Sequence, residues 1–414
     1  MIKAHEAITS LNRIKFDVIS PYNRLKMAYD LPLIWQASDW PRLHVDLEQL
    51  QEAYSRARRS QGLVEGRLAL IGFEQRRTLE AEAWSQDALA TAAIEGERYD
   101  LASVRSSIER RLGFGEANGH EAPRNVEGLL DIMDDAVRRA GQPLTHERLH
   151  AWQAALFPTG YSGMRKILVG AYRTHVEPMQ IVSGGPGHEK VHYEAPPSDR
   201  LPVEMEAFVT WFNSTAGKDP LITAAIAHLW FEIVHPFEDG NGRVGRVVID
   251  LVLAREMGFS SRLIRMSQQL LDKRKAYYAE LEAAQHASVD VTRWVQWFLE
   301  QVRVACEDAV TVIDATLSKA RFWVEHESLD ITPRQRKVLN VLLDAGPHGF
   351  EGGMSTRKYA SIASTSTATA SRELQDLVAR GCLRQLGAGR STRYYVAIDG
   401  WVPRADGDGE RASA

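Results

Sequence analysis

The stretch His235-Pro-Phe-Glu-Asp-Gly-Asn-Gly-Arg-Val-Gly-Arg246 is the most informative part of this chain. Residues 219–234 before it and residues 243–257 after it have the apolar periodicity of buried helices. The second of these helices would start directly after Gly240-Asn-Gly242, and its free backbone N–H groups and positive dipole end would point at that turn. Glycines also let a ligand approach the backbone closely. The sequence therefore predicts an anion-binding loop between two helices.

The side chains of this loop predict nucleotide chemistry. Arg243 and Arg246 are three residues apart, and two guanidiniums beside N–H donors suit a polyphosphate better than a single carboxylate. Asp239 stands where a carboxylate could hold Mg²⁺ against the phosphates. His235 is the loop residue able to take a proton near neutral pH. Taken one at a time, the glycines would be an ordinary turn, the histidine a helix cap and the arginines solvated surface. Because all of them occur within twelve residues, they predict a nucleotide transfer site.

The loop resembles the signature of the Fic (Fido) family: His-Pro-Phe, any residue, Asp-Gly-Asn-Gly-Arg, two residues, Arg. It agrees at every specified position. Most members are protein adenylyltransferases (AMPylators), which move AMP from ATP to a Ser, Thr or Tyr hydroxyl of a target protein. The resemblance implies that His235 is the general base, that Asp239 binds the Mg²⁺ cofactor, and that Arg243 and Arg246 hold the β- and γ-phosphates. The anion hole would be formed by Gly240, Asn241 and Gly242.

A later segment, residues 276–285, is predicted to be helical and carries two adjacent tyrosines. Tyr277 and Tyr278 could stack on or enclose adenine and ribose, although helix-borne tyrosines more often belong to a core. The resemblance places nucleoside contacts here, with Gln285 where many relatives have Asn. The nucleotide-binding residues are thus predicted to be Asp239, Gly240, Asn241, Gly242, Arg243, Arg246, Tyr277, Tyr278 and Gln285.

A helix predicted over residues 73–96 ends in Thr91-Ala-Ala-Ile-Glu95-Gly96. Thr91 and Glu95 are four residues apart and share a helix face, and Gly96 suits a helix end. Alone this is an ordinary amphipathic helix end. It also resembles the family's inhibitory pattern, Ser or Thr, three residues, Glu, then Gly or Asn. The resemblance implies that Glu95 pairs with Arg246 and blocks productive placement of the γ-phosphate.

Residues 175–183 and 190–193 flank the turn Gly184-Gly-Pro-Gly187, which indicates a β-hairpin. A surface hairpin is the simplest interpretation. In the family a hairpin here is the flap, which clamps the hydroxyl-bearing segment of the target by strand addition. The flap residues are predicted to be Ile181, Val182, Ser183 and Gly184.

Residues 331–398 form a separate unit whose pattern of three helices and a hairpin resembles a winged helix-turn-helix. Ten basic and four acidic side chains give this unit a net charge of +6, in a chain whose total is −4. This favours duplex DNA as a partner, and the alternative is a domain for dimerisation or protein contact. The DNA-binding residues are predicted to be Ser366, Thr367, Thr369, Arg372, Arg390 and Arg393.

Composition limits the class of protein. The chain has 414 residues, 44% of them hydrophobic, enough for two or three domains with real cores. Only Cys306 and Cys382 are present, which excludes a disulfide framework and fits a reducing compartment. No apolar run is long enough to cross a membrane, and the N-terminus lacks the apolar core of a signal peptide. A cytoplasmic protein without a membrane partner is expected.

The expected fold is mainly α: a Fic-type helical core with a β-hairpin flap and a C-terminal winged helix. Its parts are an N-terminal extension and accessory module (1–72), a Fic domain (73–300), a helical linker (301–330), the winged helix (331–398) and a disordered tail (399–414). The accessory module resembles one of unassigned function found ahead of bacterial Fic domains, and Trp35 and Trp40 are expected in its core.

The predicted function is transfer of AMP from ATP to a target protein or to the protein itself, restrained by Glu95. One alternative is hydrolysis that removes AMP, with Glu95 positioning the water. Another is a DNA-binding transcriptional regulator that senses nucleotide through the Fic domain. An intact His235 favours an enzyme, since nucleotide binding alone needs no base. A homodimer stays an open alternative.

Overall fold

Helices make up most of the chain, as the sequence predicts. The computed structural model describes residues 33–114, 122–183, 190–286, 288–346 and 352–401. The chain divides into two compact units, one of Met1–Gly66 with Gly72–Ala309, the other of Arg67–Ile71 with Val310–Ala414. Within the described ranges, no helix combines the length and apolar composition that a bilayer crossing needs.

The helices up to residue 325 are α1 Leu47–Leu68, α2 Phe73–Ile94, α3 Leu101–Arg111, α4 Arg124–Arg138, α5 His146–Leu156, α6 Leu201–Ser214, α7 Pro220–Val234, α8 Asn241–Met257, α9 Met266–Asp272, α10 Arg274–Gln285 and α11 Thr292–Glu325. Two short antiparallel hairpins lie between α5 and α6: β1 Tyr161–Ser162 with β2 Arg165–Lys166, and β3 Gln180–Ser183 with β4 Lys190–Glu194. The second hairpin lies where the flap is predicted, although its first strand begins at Gln180 and not at His175. Its turn lies outside the described residues.

The helices α7 and α8 form the centre of the larger unit and carry the loop that the sequence singled out between them. Asp219 caps α7, because its Oδ1 accepts hydrogen bonds from the backbone N–H groups of Leu221 and Ile222 at 3.0 Å. Pro220 follows at the first helical position, where it needs no N–H partner. Most side chains of both helices are buried, so burial on several faces fixes this pair in the core.

The other helices surround this pair. Helix α4 packs on α8, and α5 packs on α4. The contact between α4 and α5 is close at Gly128, where an added Cβ would lie 1.8 Å from the carbonyl oxygen of Ala155. Helix α2 packs against α3, α9 and the 3-10 turn Gly258–Ile264. The end of α2 thereby comes beside the first turns of α8.

The described N-terminal segment belongs to the larger unit. Its chain pairs with residues 289–291, since the N–H of His44 donates to Val289 O at 2.8 Å and that of Val291 to His44 O at 2.9 Å. Trp35 is buried, and its indole N–H donates to Glu194 O at 2.8 Å. The half-buried Trp40 donates to the Glu204 carboxylate at 2.7 Å. Both tryptophans thus pack within the unit.

The observed elements differ from the predicted ones in several places. Residues 44–61 have the pattern of a helix, but helix α1 begins only at Leu47, because Asp46 Oδ1 accepts from the backbone N–H groups of Glu48 and Gln49. It continues to Leu68 despite two glycines, because Val64 and Leu68 are buried. Helices α3 and α9 and the β1–β2 hairpin were not predicted; each is short, and tertiary packing rather than a long periodic pattern fixes it.

The smaller unit contains three helices followed by two strands, in the order that the sequence predicts. They are α12 Pro333–Asp344, α13 Thr356–Ile362, α14 Thr367–Ala379, β5 Leu383–Leu386 and β6 Arg393–Val396. The strands pair antiparallel, with Leu383 opposite Val396. The winged-helix assignment itself stays a prediction.

Two predicted boundaries of this unit need correction. Phe322, placed in the linker 301–330, and Trp401, placed in the disordered tail 399–414, both belong to the hydrophobic core of the unit. Burial of a large aromatic side chain is favourable, so both rings pack into the core and not in an exposed linker or tail. Residues 402–414 of that predicted tail lie outside the described residues.

Candidate active site

His235 ends helix α7 in a left-handed backbone conformation, with φ 49°. This conformation is unfavourable for a residue with a side chain and persists where the surroundings fix it. Arg173 supplies that constraint: its backbone N–H donates to Pro236 O at 2.9 Å, and its Nε donates to His235 O at 2.9 Å. Arg173 is itself buried at 1% exposure. No local pattern selects Arg173 from the sequence, because it lies 62 residues before its partner.

The imidazole of His235 is buried and hydrogen-bonds the backbone of Glu232. Burial, with the nearby Arg173 guanidinium adding to the effect, lowers the pKa of His235 to about 3. The ring is therefore neutral at neutral pH, and a nitrogen that carries no proton can accept one. A neutral imidazole is the form that the predicted role of general base requires.

The loop between α7 and α8 is held by Asn241. Its Oδ1 accepts from the N–H of Phe237 at 2.9 Å, and its Nδ2 donates to Phe237 O at 2.8 Å. The side-chain amide is therefore used on the loop backbone, and the predicted anion-hole role of Asn241 stays a prediction that rests on its backbone N–H. What it offers an anion is its backbone N–H, at the start of α8 where such groups are free. Gly240 before it has φ 89°, which favours glycine.

Asp239 is half-buried beside the start of α8. Its Oδ1 accepts from the backbone N–H of Gly240 at 2.6 Å, and its Oδ2 accepts a hydrogen bond from the Ser162 hydroxyl. Within the described ranges, no cluster of three His, Cys, Asp or Glu side chains could hold a metal. One carboxylate is nevertheless what Mg²⁺ uses when substrate phosphates and water complete its coordination. The donor set therefore fits Mg²⁺ bound jointly with a nucleotide.

Arg246 is held by the end of α2. Its Nε donates to Thr91 Oγ1 at 2.7 Å, and its Nη2 donates to Thr91 O at 3.1 Å and to Glu95 Oε1 at 2.7 Å. The guanidinium is only 2% exposed. Gly242 makes room for Glu95, since a Cβ there would lie 2.3 Å from Glu95 Oε1. Gly96, after the helix, has φ 82°. The residues of the predicted inhibitory pattern and Arg246 are thus in contact.

Arg243 also has a carboxylate partner from the same segment. Its Nη1 donates to Glu97 Oε1 at 2.9 Å, and its guanidinium lies over the Phe157 ring, 4.9 Å from the centroid. Glu97 was not predicted as a site residue, because the inhibitory pattern ends at Gly96. Both loop arginines are therefore paired with carboxylates of residues 95–97, which compete with phosphate for the same guanidiniums.

A pocket opens beside these groups. Tyr277 is buried and its hydroxyl hydrogen-bonds Nε2 of His228 at 2.8 Å, whereas Tyr278 is half-buried. The described residues that line the pocket are Glu95, Ile181, His192, Glu232, Gly242, Arg246, Tyr277, Tyr278, Leu281, Glu282 and Gln285. The predicted nucleoside residues Tyr277, Tyr278 and Gln285 thus share one pocket with Glu95 and Arg246.

The flap strands border this pocket. Ile181 lines it, whereas Val182 is buried. The side chain of Ser183 and all of Gly184 lie outside the described part of the structure. Strand β4 is tied to α10, because Nδ1 of His192 lies 3.1 Å from Glu282 Oε1.

The predicted DNA-binding residues lie on α14 and the hairpin of the smaller unit. Ser366 caps α14, since its hydroxyl accepts from the N–H of Thr369 at 3.2 Å. Thr367 and Arg372 are exposed. Arg393 donates from Nε to Gly352 O at 2.9 Å; the side chain of Arg390 is not among those described.

Two family models and several known proteins are similar to parts of this chain. Residues 143–253 match the model of the Fic/DOC family, and residues 33–114 match a domain of unknown function, DUF4172. The protein adenylyltransferase Fic of Drosophila mojavensis is 28% identical over 248 residues, which are 56% of this chain and 43% of that protein. The protein adenylyltransferase fic-1 of Caenorhabditis briggsae is 39% identical over 83 residues, 20% of this chain and 15% of that protein.

Among solved structures, a Fic family protein from Desulfovibrio desulfuricans G20 superposes with a TM-score of 0.47 at 20% identity, covering 82% of this chain and 95% of that chain. The family model and the curated relatives support a Fic family protein with its Fic/DOC domain at residues 143–253. This chain spans less than half the length of these curated relatives.

Proposed function

We propose that this protein is a Mg²⁺-dependent protein adenylyltransferase that transfers AMP from ATP to Ser, Thr or Tyr hydroxyls of target proteins and is restrained by Glu95. One observation supports this most strongly. A buried, neutral His235 and the free N-terminus of α8 belong to one loop, and the pocket beside it contains Arg246 and two tyrosines. The curated relatives, which are named protein adenylyltransferases, support the same chemistry at the level of the family.

The proposed reaction uses each group of the loop once. His235 accepts the proton of the target hydroxyl, whose oxygen forms a bond to the α-phosphorus of ATP. The bond from that phosphorus to the bridging oxygen breaks, and pyrophosphate leaves with the electron pair. The arginines and the N–H groups of α8 neutralise the charge that develops on the phosphates. Asp239 would hold Mg²⁺, which adds positive charge at the same place.

The contact between Glu95 and Arg246 supports the proposed restraint. The ion pair is nearly excluded from water, where a charge-assisted hydrogen bond is strong. A γ-phosphate that needs Arg246 has to displace Glu95 first. In the restrained protein, ATP would bind with its γ-phosphate away from Arg246, so transfer would be slow.

The test is label transfer from ATP to protein. With ATP labelled at the α-phosphate and Mg²⁺ present, label should become covalently attached to the protein or to an added hydroxyl-bearing target. With ATP labelled at the γ-phosphate, it should not. Covalent label from the γ-phosphate alone would instead indicate phosphoryl transfer and contradict the proposal. Loss of AMP from a previously adenylylated target, without transfer in the other direction, would favour the hydrolase alternative.

Asp239→Ala is expected to weaken Mg²⁺-dependent ATP binding and label transfer together, because the carboxylate and the phosphates share the metal ion. ATP affinity measured by calorimetry in the presence and absence of Mg²⁺ checks this: the gain from Mg²⁺ should disappear in the variant. Glu238→Ala is the matched control, since the neighbouring carboxylate accepts from Leu168 N at 3.3 Å instead. Unchanged Mg²⁺ dependence in Asp239→Ala would contradict the assignment.

We further propose that the smaller unit binds duplex DNA. The supporting observations are its excess of basic side chains and the exposed first turns of α14, with Thr367 and Arg372 directed to solvent. Two of its arginines are already neutralised, because Arg334 pairs with Glu373 at 2.7 Å and Arg380 with Asp376 at 2.8 Å. The exposed Arg372 is therefore a better candidate for a phosphate contact than these two arginines, and Arg390 is included because the sequence predicts it.

The full-length protein is expected to bind a short duplex with an affinity that falls steeply as salt rises. Changing Arg372 and Arg390 together to Ala should reduce the slope of log affinity against log salt by about two, one per lost phosphate contact. Arg293→Ala is the control, an exposed arginine of the larger unit that pairs with Glu280. Should no duplex bind even at about 50 mM salt, a unit for protein contact becomes the better explanation.

A further inference from the structure

Glu232 is a buried carboxyl in the wall of the pocket that the reaction above does not use. It lies on α7 one turn before His235, and its exposure is 6%. It lines the same pocket as Glu95, Arg246 and Tyr277. Acidic side chains are rarely this buried unless they are paired or bind a ligand.

The carboxyl group occupies a space that Gly245 leaves open. A Cβ at Gly245 would lie 2.5 Å from Glu232 Oε1 and 3.2 Å from Nδ1 of His228. Gly242, three residues earlier on α8, makes room for Glu95 in the same way. Two carboxyl groups thus pack against glycines in the first turns of α8, Glu95 against Gly242 and Glu232 against Gly245. Arg246 directly follows the second of these glycines.

One oxygen of this carboxyl group has no hydrogen-bond partner among the residues that the structure describes. That oxygen is Oε1, and it is fully buried. The other, Oε2, lies 3.7 Å from Nδ1 of His235. A buried polar atom without a partner is unfavourable, so a ligand that fills the pocket and bonds Oε1 would be stabilised there.

The protonation state follows from the surroundings. Burial, opposed by Arg246 and reinforced by Glu95, raises the pKa of Glu232 to about 8. His228 and His235 are neutral because burial lowers the pKa of each to about 3. Burial also raises the pKa of the Tyr277 hydroxyl well above its usual value. Between pH 7 and pH 9, Glu232 therefore changes charge while His228, His235 and Tyr277 do not.

We propose that Glu232 contacts the nucleotide, with its carboxyl group donating a hydrogen bond to a phosphate oxygen of ATP. The neighbours of Glu232 favour a phosphate as its partner and not the base or the ribose. It lies against Gly245, beside Arg246, and one turn before His235. The inference rests on the proposed function, because it takes this pocket to be a nucleotide site. The ionised carboxylate, by contrast, repels phosphate. Proton loss from Glu232 therefore weakens nucleotide binding.

The experiment measures Mg·ATP affinity of the full-length protein by calorimetry at about pH 7 and about pH 9. The last phosphate proton has a pKa of about 6, so the nucleotide itself changes little over this range. Wild-type affinity should fall about tenfold, as expected for one group with a pKa near 8 that must be protonated to bind. Glu232→Gln keeps a donor and cannot ionise, so its affinity should change less than about twofold. Glu232→Ala should bind about tenfold more weakly at the lower pH.

Glu282→Gln is the matched control, because this third carboxyl of the pocket pairs with His192. Its Mg·ATP affinity should fall between pH 7 and pH 9 by the same factor as that of the wild type. A decline in Glu232→Gln equal to that of the wild type would overturn the inference, whatever the folding of Glu232→Ala. Absence of Mg·ATP binding by the wild type at the lower pH would instead overturn the proposed function, and the inference with it.

Discussion

Glu95→Gly should raise auto-modification from α-labelled ATP by about tenfold or more, given the strength of a charge-assisted pair. In the wild type, the Glu95 carboxylate is 2.7 Å from Nη2 of Arg246, in a position where a phosphate would compete for the same nitrogen. Removing the side chain frees the guanidinium and leaves no acceptor in its place. Quantified covalent label over a range of ATP concentrations is the measurement.

Two further variants test whether the gain comes from freeing Arg246 or from disturbing helix α2 as a whole. Adding Arg246→Ala to Glu95→Gly should remove the gain, because the freed arginine is what the phosphate needs. Glu95→Gln keeps the size of the side chain and loses its charge, so it should give an intermediate gain. Equal labelling by the wild type and Glu95→Gly would contradict the inhibitory role of Glu95 and leave the end of α2 with a packing role only.

His235→Ala should lower label transfer by about 10²–10⁴-fold, the usual loss when a general base is removed. The background for this test is Glu95→Gly, where the initial rate is high enough for such a loss to be measured. Mg·ATP affinity should stay nearly unchanged, because the imidazole is assigned to the target hydroxyl and not to the phosphates. Transfer by the double variant at the rate of Glu95→Gly would show that another group takes the proton.

The sequence predicted the local parts of the site well and its long-range parts poorly. Local rules suffice for a helix that ends at His235, a glycine turn and a second helix, because caps and periodicity are properties of neighbouring residues. The pairing of Glu95 with Arg246 was expected only through a family resemblance. Partners with no such pattern were missed: Arg173 on the His235 backbone, Glu97 on Arg243, and Glu232.

Asn241 illustrates a different limit. Its residue type does not reveal what its side chain does, and only the positions of the Phe237 N–H and C=O groups show that the amide holds the loop together. Likewise Gly245 was a position without a role in the sequence pattern. Its meaning depends on a carboxyl group from another helix that occupies the space of the missing side chain. Close approach of this kind is a property of packing, and no spacing along the chain reports it.

The end of α2 holds both arginines of the loop through one short segment, Arg246 through Glu95 and Arg243 through Glu97. Because the effect of one binding event on another is reciprocal, nucleotide phosphates that take these arginines weaken the docking of residues 95–97 by the factor by which docking weakens the nucleotide. The two carboxylates are only two residues apart in the chain, so the two pairs are expected to open together. A protein that draws this segment away would therefore activate the site without touching the nucleotide, its metal ion or the target.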